Sequence, residues 1–355
     1  MKKSLIALAA LATVATAAQA QSSVTMYGVI DPTLISVSTQ GQGRVTALSH
    51  GGAATSRWGF RGEEDLGGGL KAFFNLEGQF EADTGEGSAT GLFHRASFVG
   101  LKNSMISGQA GRMNRIDYAK IAKYDVFAGN NIGGATAYVA LSGAAVMPDV
   151  RSNNTLQLDI TPISGLTLTA QHAFGEVAGS ASKAGSNTDA ASGGSAVRHN
   201  SYAADYKAGA LELAAIYVRT NDTNGAKQYE RTDAYARYDF GVVSAVVGHN
   251  EYEPASGYKK KSDFIGVKVP VGSKTTILAN VVKMDLADNQ KPTGYGAGVQ
   301  YALSKRTTAY GVFAKIAQDS ASTVKIGGSA MNEIPAVGTA GKDQTGYGVG
   351  IRHTF

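Results

Sequence analysis

The chain is 355 residues long, with 33 lysines and arginines against 28 aspartates and glutamates, a formal net charge of +5, 45 glycines and no cysteine. That small positive excess excludes a nucleic-acid binder built on a basic stripe, and the lack of cysteine excludes a small disulfide-stapled secreted fold. Mean hydropathy is −0.11, and past the N-terminus no apolar stretch is long enough for a membrane helix, which excludes a helical membrane protein but not a strand-built one.

Residues 1–20 carry Lys2 and Lys3, then an apolar run from Leu5 to Ala18, then Ala18-Gln19-Ala20 as a small-residue cleavage site. This is the pattern of a secretory signal peptide, and its core is too short and alanine-rich for a membrane anchor. Cleavage after Ala20 leaves residues 21–355, which show no domain boundary and no repeat beyond a hairpin rhythm. They read as one domain.

From there the period is two. The first predicted strand is 23–30, followed by 57–62 and by 70–80, where Leu70, Ala72, Phe74, Leu76, Gly78 and Phe80 share one face while Lys71, Asn75, Glu77 and Gln79 share the other. Further strands are predicted at 93–101, 105–111, 151–160, 165–174, 201–206, 211–219, 231–240, 242–250, 262–269, 275–284, 295–303 and 307–316. The last, 345–355, points Tyr347, Val349, Ile351, His353 and Phe355 one way and stops on an aromatic residue that carries the chain's own carboxylate. Chain ends usually fray; a closed barrel would lock this strand against the first and set its terminal aromatic at the membrane interface. The expected fold is all-β, a transmembrane antiparallel β-barrel of about sixteen strands.

The connections alternate in length. Short turns at 63–69, 103–104, 162–165, 207–209, 270–273 and 304–306 carry the glycine, proline and aspartate that reverse a strand. Between them lie longer polar insertions at 175–200, 221–230, 250–261 and 317–344. This asymmetry matches short periplasmic turns and long extracellular loops.

Four blocks make the reading specific: Tyr27-Gly-Val-Ile-Asp31; Ser56-Arg-Trp-Gly-Phe-Arg-Gly-Glu-Glu-Asp-Leu-Gly-Gly-Gly-Leu-Lys-Ala-Phe-Phe-Asn-Leu-Glu77; Phe93-His-Arg-Ala-Ser-Phe-Val-Gly-Leu101; and Tyr347 to Phe355. Together they resemble the Gram-negative general diffusion porins of the betaproteobacterial type, across essentially the whole mature chain. The resemblance implies a homotrimer in the outer membrane, inserted by the barrel-assembly machinery. It also implies a third loop folded into the pore and a second loop, here with Glu81, Asp83 and Glu86, that latches a neighbouring subunit.

Strand alternation places Arg57 and Arg61 opposite Trp58 and Phe60, Arg95 opposite Ala96 and Phe98, and Arg151 opposite Leu156 and Leu158; with the apolar residues toward lipid, all four arginines point into water. By resemblance, Arg57, Arg95 and Arg151 match the basic cluster of the constriction. The segment 112–131 resembles the inward-folded loop and carries Arg112, Arg115, Asp117 and Asp125, with valine where a proline is common in Tyr124-Asp-Val-Phe-Ala-Gly129. A short amphipathic surface helix over 116–126 is the other reading of that segment. Opposed arginines and carboxylates would set up a transverse field, and the basic excess predicts mild anion preference.

Six scattered histidines with no metal-ligand spacing, and no nucleophile motif, give no cofactor, metal or catalytic site. The competing readings are a substrate-specific channel and a barrel adhesin; the first calls for stacked aromatics inside, the second for binding loops such as 175–200. Lys259-Lys-Lys261 could hold lipopolysaccharide phosphates or be a solvated charge run.

Overall fold

The structure, a computed structural model, describes residues 23–87, 91–129, 132–141, 150–174, 198–222, 225–327, 331 and 333–355. The expected signal peptide and most of the loop 175–200 lie outside the described residues.

Eighteen strand segments form one antiparallel sheet that closes on itself. They begin with β1 (Ser23–Ile30), β2 (Pro32–Thr39), β3 (Gly43–His50), β4 (Arg57–Gly67) and β5 (Leu70–Gln79). After β6 (Ala96–Lys102) and β7 (Ile106–Asn114) comes the helix α1 (Ile116–Tyr124), followed by β8 (Arg151–Ile163) and β9 (Leu166–Ala173). The rest are hairpins: β10 (Arg198–Ala208), β11 (Leu211–Asn221), β12 (Lys227–Asp239), β13 (Ser244–Pro254), β14 (Lys260–Val271), β15 (Thr275–Asp285), β16 (Thr293–Ala302), β17 (Thr307–Ala317) and β18 (Gln344–Thr354).

β1 and β2 face β18 in one continuous register, so they are a single strand interrupted at Asp31. Its other edge pairs with β4 along β1 and with β3 along β2, so β3 and β4 are likewise one strand, split by the insert 51–56. The eighteen segments are therefore sixteen barrel strands. Residues 32–50 were not expected to be strand. The insert is stitched down by Asp31, whose carboxylate accepts the backbone N–H of Ala53 (2.7 Å) and Ala54 (2.5 Å) and the Tyr310 hydroxyl (2.5 Å). A buried carboxylate satisfied by three donors lets the ladder break without leaving polar atoms unpaired.

The terminal strand behaves as its alternation predicts. Tyr347, Val349 and Ile351 are half exposed on the outer face, and Phe355 and Gly28 exchange both backbone hydrogen bonds at 3.1 Å, so pairing runs to the last residue. The Phe355 ring lies where a side chain on Gly28 would be: a Cβ there would fall 2.2 Å from it.

The two ends of the barrel differ, as expected, but not everywhere the sequence placed the length. The segments 221–230 and 250–261 are largely strand, because β12 starts at Lys227 and β13 and β14 run to Pro254 and from Lys260. Strands that outrun the hydrocarbon layer can be polar on both faces, and that hides them from an alternation test.

Inside, the segment between β7 and β8 crosses the lumen. Its first half, α1, packs on β10 to β13. Farther along, residues 133–138 lie on β16, where small inward residues make room: a Cβ on Gly294 would meet the Tyr138 ring at 2.7 Å, and one on Gly296 the carbonyl oxygen of Gly133 at 2.1 Å. Gly296→Val is expected to lift this segment off the wall, since overpacking of this kind costs about 1–3 kcal/mol. Thermal unfolding of detergent-extracted barrels together with single-channel conductance checks it: the conductance should rise while the barrel stays folded.

Candidate pore constriction

The inner wall between β1 and β6 carries a connected polar group centred on Glu77. Arg57, at the start of β4, places Nε 3.4 Å from Glu77 Oε2 and donates from Nη1 to the Thr55 carbonyl (3.1 Å). Arg95, just before β6, donates from Nε to Glu77 Oε1 (2.7 Å) and from Nη1 to Gln79 Oε1 (3.3 Å). The Tyr27 hydroxyl shares its proton between Glu77 Oε2 (2.9 Å) and Asn75 Oδ1 (2.8 Å). Two guanidinium groups thus share one carboxylate and remain net positive.

Alternation was right for β4 and β5 but wrong for the residues beside Arg95. Phe98 pairs with the inward Asn75, while Val99 and Leu101 are exposed on the outer face, so Ala96 and Phe98 face the lumen. Arg95 still reaches inward because it precedes the paired part of β6 and is free of the pleat.

Arg151 opens β8 and is 7 % exposed. Its charge, with those of Arg95 and Arg112, bears on His94: burial first, then these neighbours, push that imidazole down to about 4. His94 is neutral at ordinary pH, and the arginines supply the charge there. Arg112 belongs to β7 rather than to the loop. It donates to the His94 carbonyl and, from Nη1, to Asn153 Oδ1 (2.5 Å), and so braces the strand ends. Arg61 lies on the inward face with Arg57 but four residues on, roughly 13 Å toward the short-turn mouth, and covers the Tyr27 ring at 5.1 Å.

The loop overturns the expected acidic partner of this wall. Arg115, Asp117 and Asp125 are all buried, as are Arg231 and Asp233 on β12. Arg115 donates to both oxygens of Asp117 (3.3 Å each) and to the Tyr229 hydroxyl (2.5 Å). Arg231 pairs with Asp233 at 2.8 Å and lies 3.9 Å from Asp117. Two cations and two carboxylates therefore form a neutral anchor between α1 and the wall. Asp125 accepts the backbone N–H groups of Phe127 and Thr136 at 2.9 Å each and closes the loop on itself; burial pushes its carboxyl up. A buried carboxylate must be satisfied where it lies, and these partners hold both aspartates away from Arg57 and Arg95. The exposed side of α1 instead carries Lys123, in reach of Asp205 (3.6 Å) and Glu212 (3.7 Å). Residues 116–124 are helical, but the helix packs its buried face on the inner wall of β10 to β13 and is not a surface helix.

The sequence reading missed Glu77 as a bridge and missed the β12 half of the anchor. The pattern Arg231-Thr-Asp233 was a usable signal, since residues two apart in a strand share a face. At the far rim, Lys259 and Lys261 are paired with Glu251 at 2.6 and 3.2 Å.

Comparison with known proteins bears on the whole barrel. A model of the Gram-negative porin family matches residues 7–322. Outer membrane porin protein 32 of Delftia acidovorans is 33 % identical over the full length of both chains, and an outer membrane porin protein of Bordetella pertussis is 28 % identical, also over both full lengths. Among solved structures, the anion-selective porin from Comamonas acidovorans superposes with a TM-score of 0.78 at 29 % identity, covering 94 % of this chain and all of that one. The Salmonella typhi OmpF barrel, at 17 % identity and a TM-score of 0.64, shares the fold. With a closed sixteen-strand barrel, an inward loop and a family match over most of its length, the chain belongs to the Gram-negative porins.

Proposed function

We propose that this outer-membrane barrel conducts ions and small hydrophilic solutes by passive diffusion and prefers anions, through the positive wall of Arg57, Arg95 and Arg151. The observation that carries the preference is that Arg57 and Arg95 share a single carboxylate, Glu77, with Arg151 near enough to act on His94 beside them, while Asp117 and Asp125 of the loop are buried away from this wall. A fixed excess of guanidinium charge in a narrow, low-dielectric channel raises the local anion concentration without tight binding. The similarity to an anion-selective porin supports the same sign. Homotrimer assembly, lipopolysaccharide around the rim and insertion through a terminal signal at Tyr347, Val349, Ile351 and Phe355 belong to the same proposal.

The test is a planar-bilayer recording of the detergent-extracted mature protein across a potassium chloride gradient. Three equal conductance steps with reversal on the anion side are expected. A reversal potential at zero, or on the cation side, would overturn the preference.

A further inference from the structure

The lumenal wall below the constriction holds a feature that ion selectivity does not use. Near the short-turn mouth, β4, β5 and β6 line a recess of about 420 Å³. Two inward aromatic rings, Phe73 and Phe98, stand edge to face with centroids 6.3 Å apart. Lys102 places its ammonium 5.3 Å from the Phe73 ring. Arg61 covers Tyr27 beside them and, among the described residues, has no carboxylate partner. Glu63, the one acid of the recess, is already held by Lys71 (2.6 Å) and by Lys102.

Phenylalanines on the wet face of a pore strand contribute nothing to burial against lipid, and a general diffusion path has no need of them. Apolar ring surface next to an uncompensated guanidinium fits a ligand that is flat and aromatic at one end and anionic at the other. We infer that this recess is a binding site for aromatic carboxylates. The ring packs against Phe73 and Phe98, and the carboxylate takes Arg61, with Lys102 adding its field. Asn75, which already accepts the Tyr27 hydroxyl, lies in the same lining and offers its amide N–H to the carboxylate. Ligands so held pause on the periplasmic side of the constriction, and a pause in a single-file path is seen as block.

The inference rests on the lumen being a conducting pore, and the experiment separates the two. Channels are first recorded in potassium chloride alone; absence of channels at this step overturns the pore reading and this one with it. Benzoate or acetate is then added at equal concentration to the compartment facing the short turns. Benzoate should reduce the mean current in a saturable way, and acetate should not. In conducting channels that carry Phe73→Leu with Phe98→Leu, which keep apolar bulk but lose the rings, the half-blocking benzoate concentration should rise about tenfold. Arg61→Gln, on the other wall of the recess, should raise it by a similar factor. Equal block by acetate and benzoate, or an unchanged half-blocking concentration in either variant, would overturn the site.

Discussion

Arg95→Glu combined with Arg151→Glu is expected to move the reversal potential in a potassium chloride gradient from the anion side to the cation side. At the constriction Arg57 and Arg95 share Glu77, a net charge of +1, and Arg151 stands near enough to act on His94 beside them. The double substitution turns two cations into two carboxylates, a change of four unit charges toward negative. Unit charges about 4 Å from a permeating ion contribute roughly 1 kcal/mol each in water and several times that near a low-dielectric wall. A change of four charges therefore exceeds the roughly 1.4 kcal/mol that makes a tenfold change in relative permeability. In the wild type His94 adds no charge at neutral pH, since burial and then Arg151 and Arg95 hold its imidazole down to about 4. Below that value the imidazole gains a proton, so the wild-type wall becomes more positive in acid and anion preference should strengthen there. Raising both compartments toward about 1 M salt shortens the screening length to about 3 Å and should weaken the preference of wild type and variant alike. A reversal potential unmoved by the double substitution would mean that selectivity arises elsewhere.

The second large effect concerns the anchor of the inward loop. Asp117→Ala removes the carboxylate that Arg115 grips and that Arg231 faces, leaving an excess positive charge where the side chains are fully buried. Breaking a buried pair in this way costs about 3–5 kcal/mol. The barrel ladder does not pass through α1, so the cost is expected to fall on the loop, which leaves the wall of β10 to β13. Larger conductance and frequent flicker should follow, while the barrel still migrates as folded in unheated detergent gels. A double change, Arg115→Met with Asp117→Leu, removes one cation and one anion together and leaves Arg231 with Asp233. It should lie closer to wild type than the single change, because an apolar pair of similar volume can replace a buried ion pair at little cost. If both variants behaved alike, charge balance would not be what holds the loop.

Much of the fold was legible along the chain because a barrel strand is a local pattern. The pleat of 70–80 and the run from Tyr347 to Phe355 each disclose their outer face without reference to a partner. The missed segments 32–39 and 43–50 show the limit. In the first of them Ile35 and Val37 face inward and are buried rather than wet, while Leu34 faces outward, so apolar side chains occupy both faces and the period of two fades.

The sequence by itself determined a strand-built outer-membrane barrel, since alternation, turn chemistry and short motifs are written in neighbouring residues, and it pointed to Arg57, Arg95 and Arg151 through family resemblance. Only the tertiary structure decided what those arginines oppose. Asp117 and Asp125 have the same composition whether they face water or protein, and their burial depends on Arg231, Tyr229 and the loop's own backbone, which are distant in the chain or set by its path. Charge is a property of the residue, but whether it reaches the pore is a property of packing, because a buried carboxylate must be neutralised by the groups that bury it.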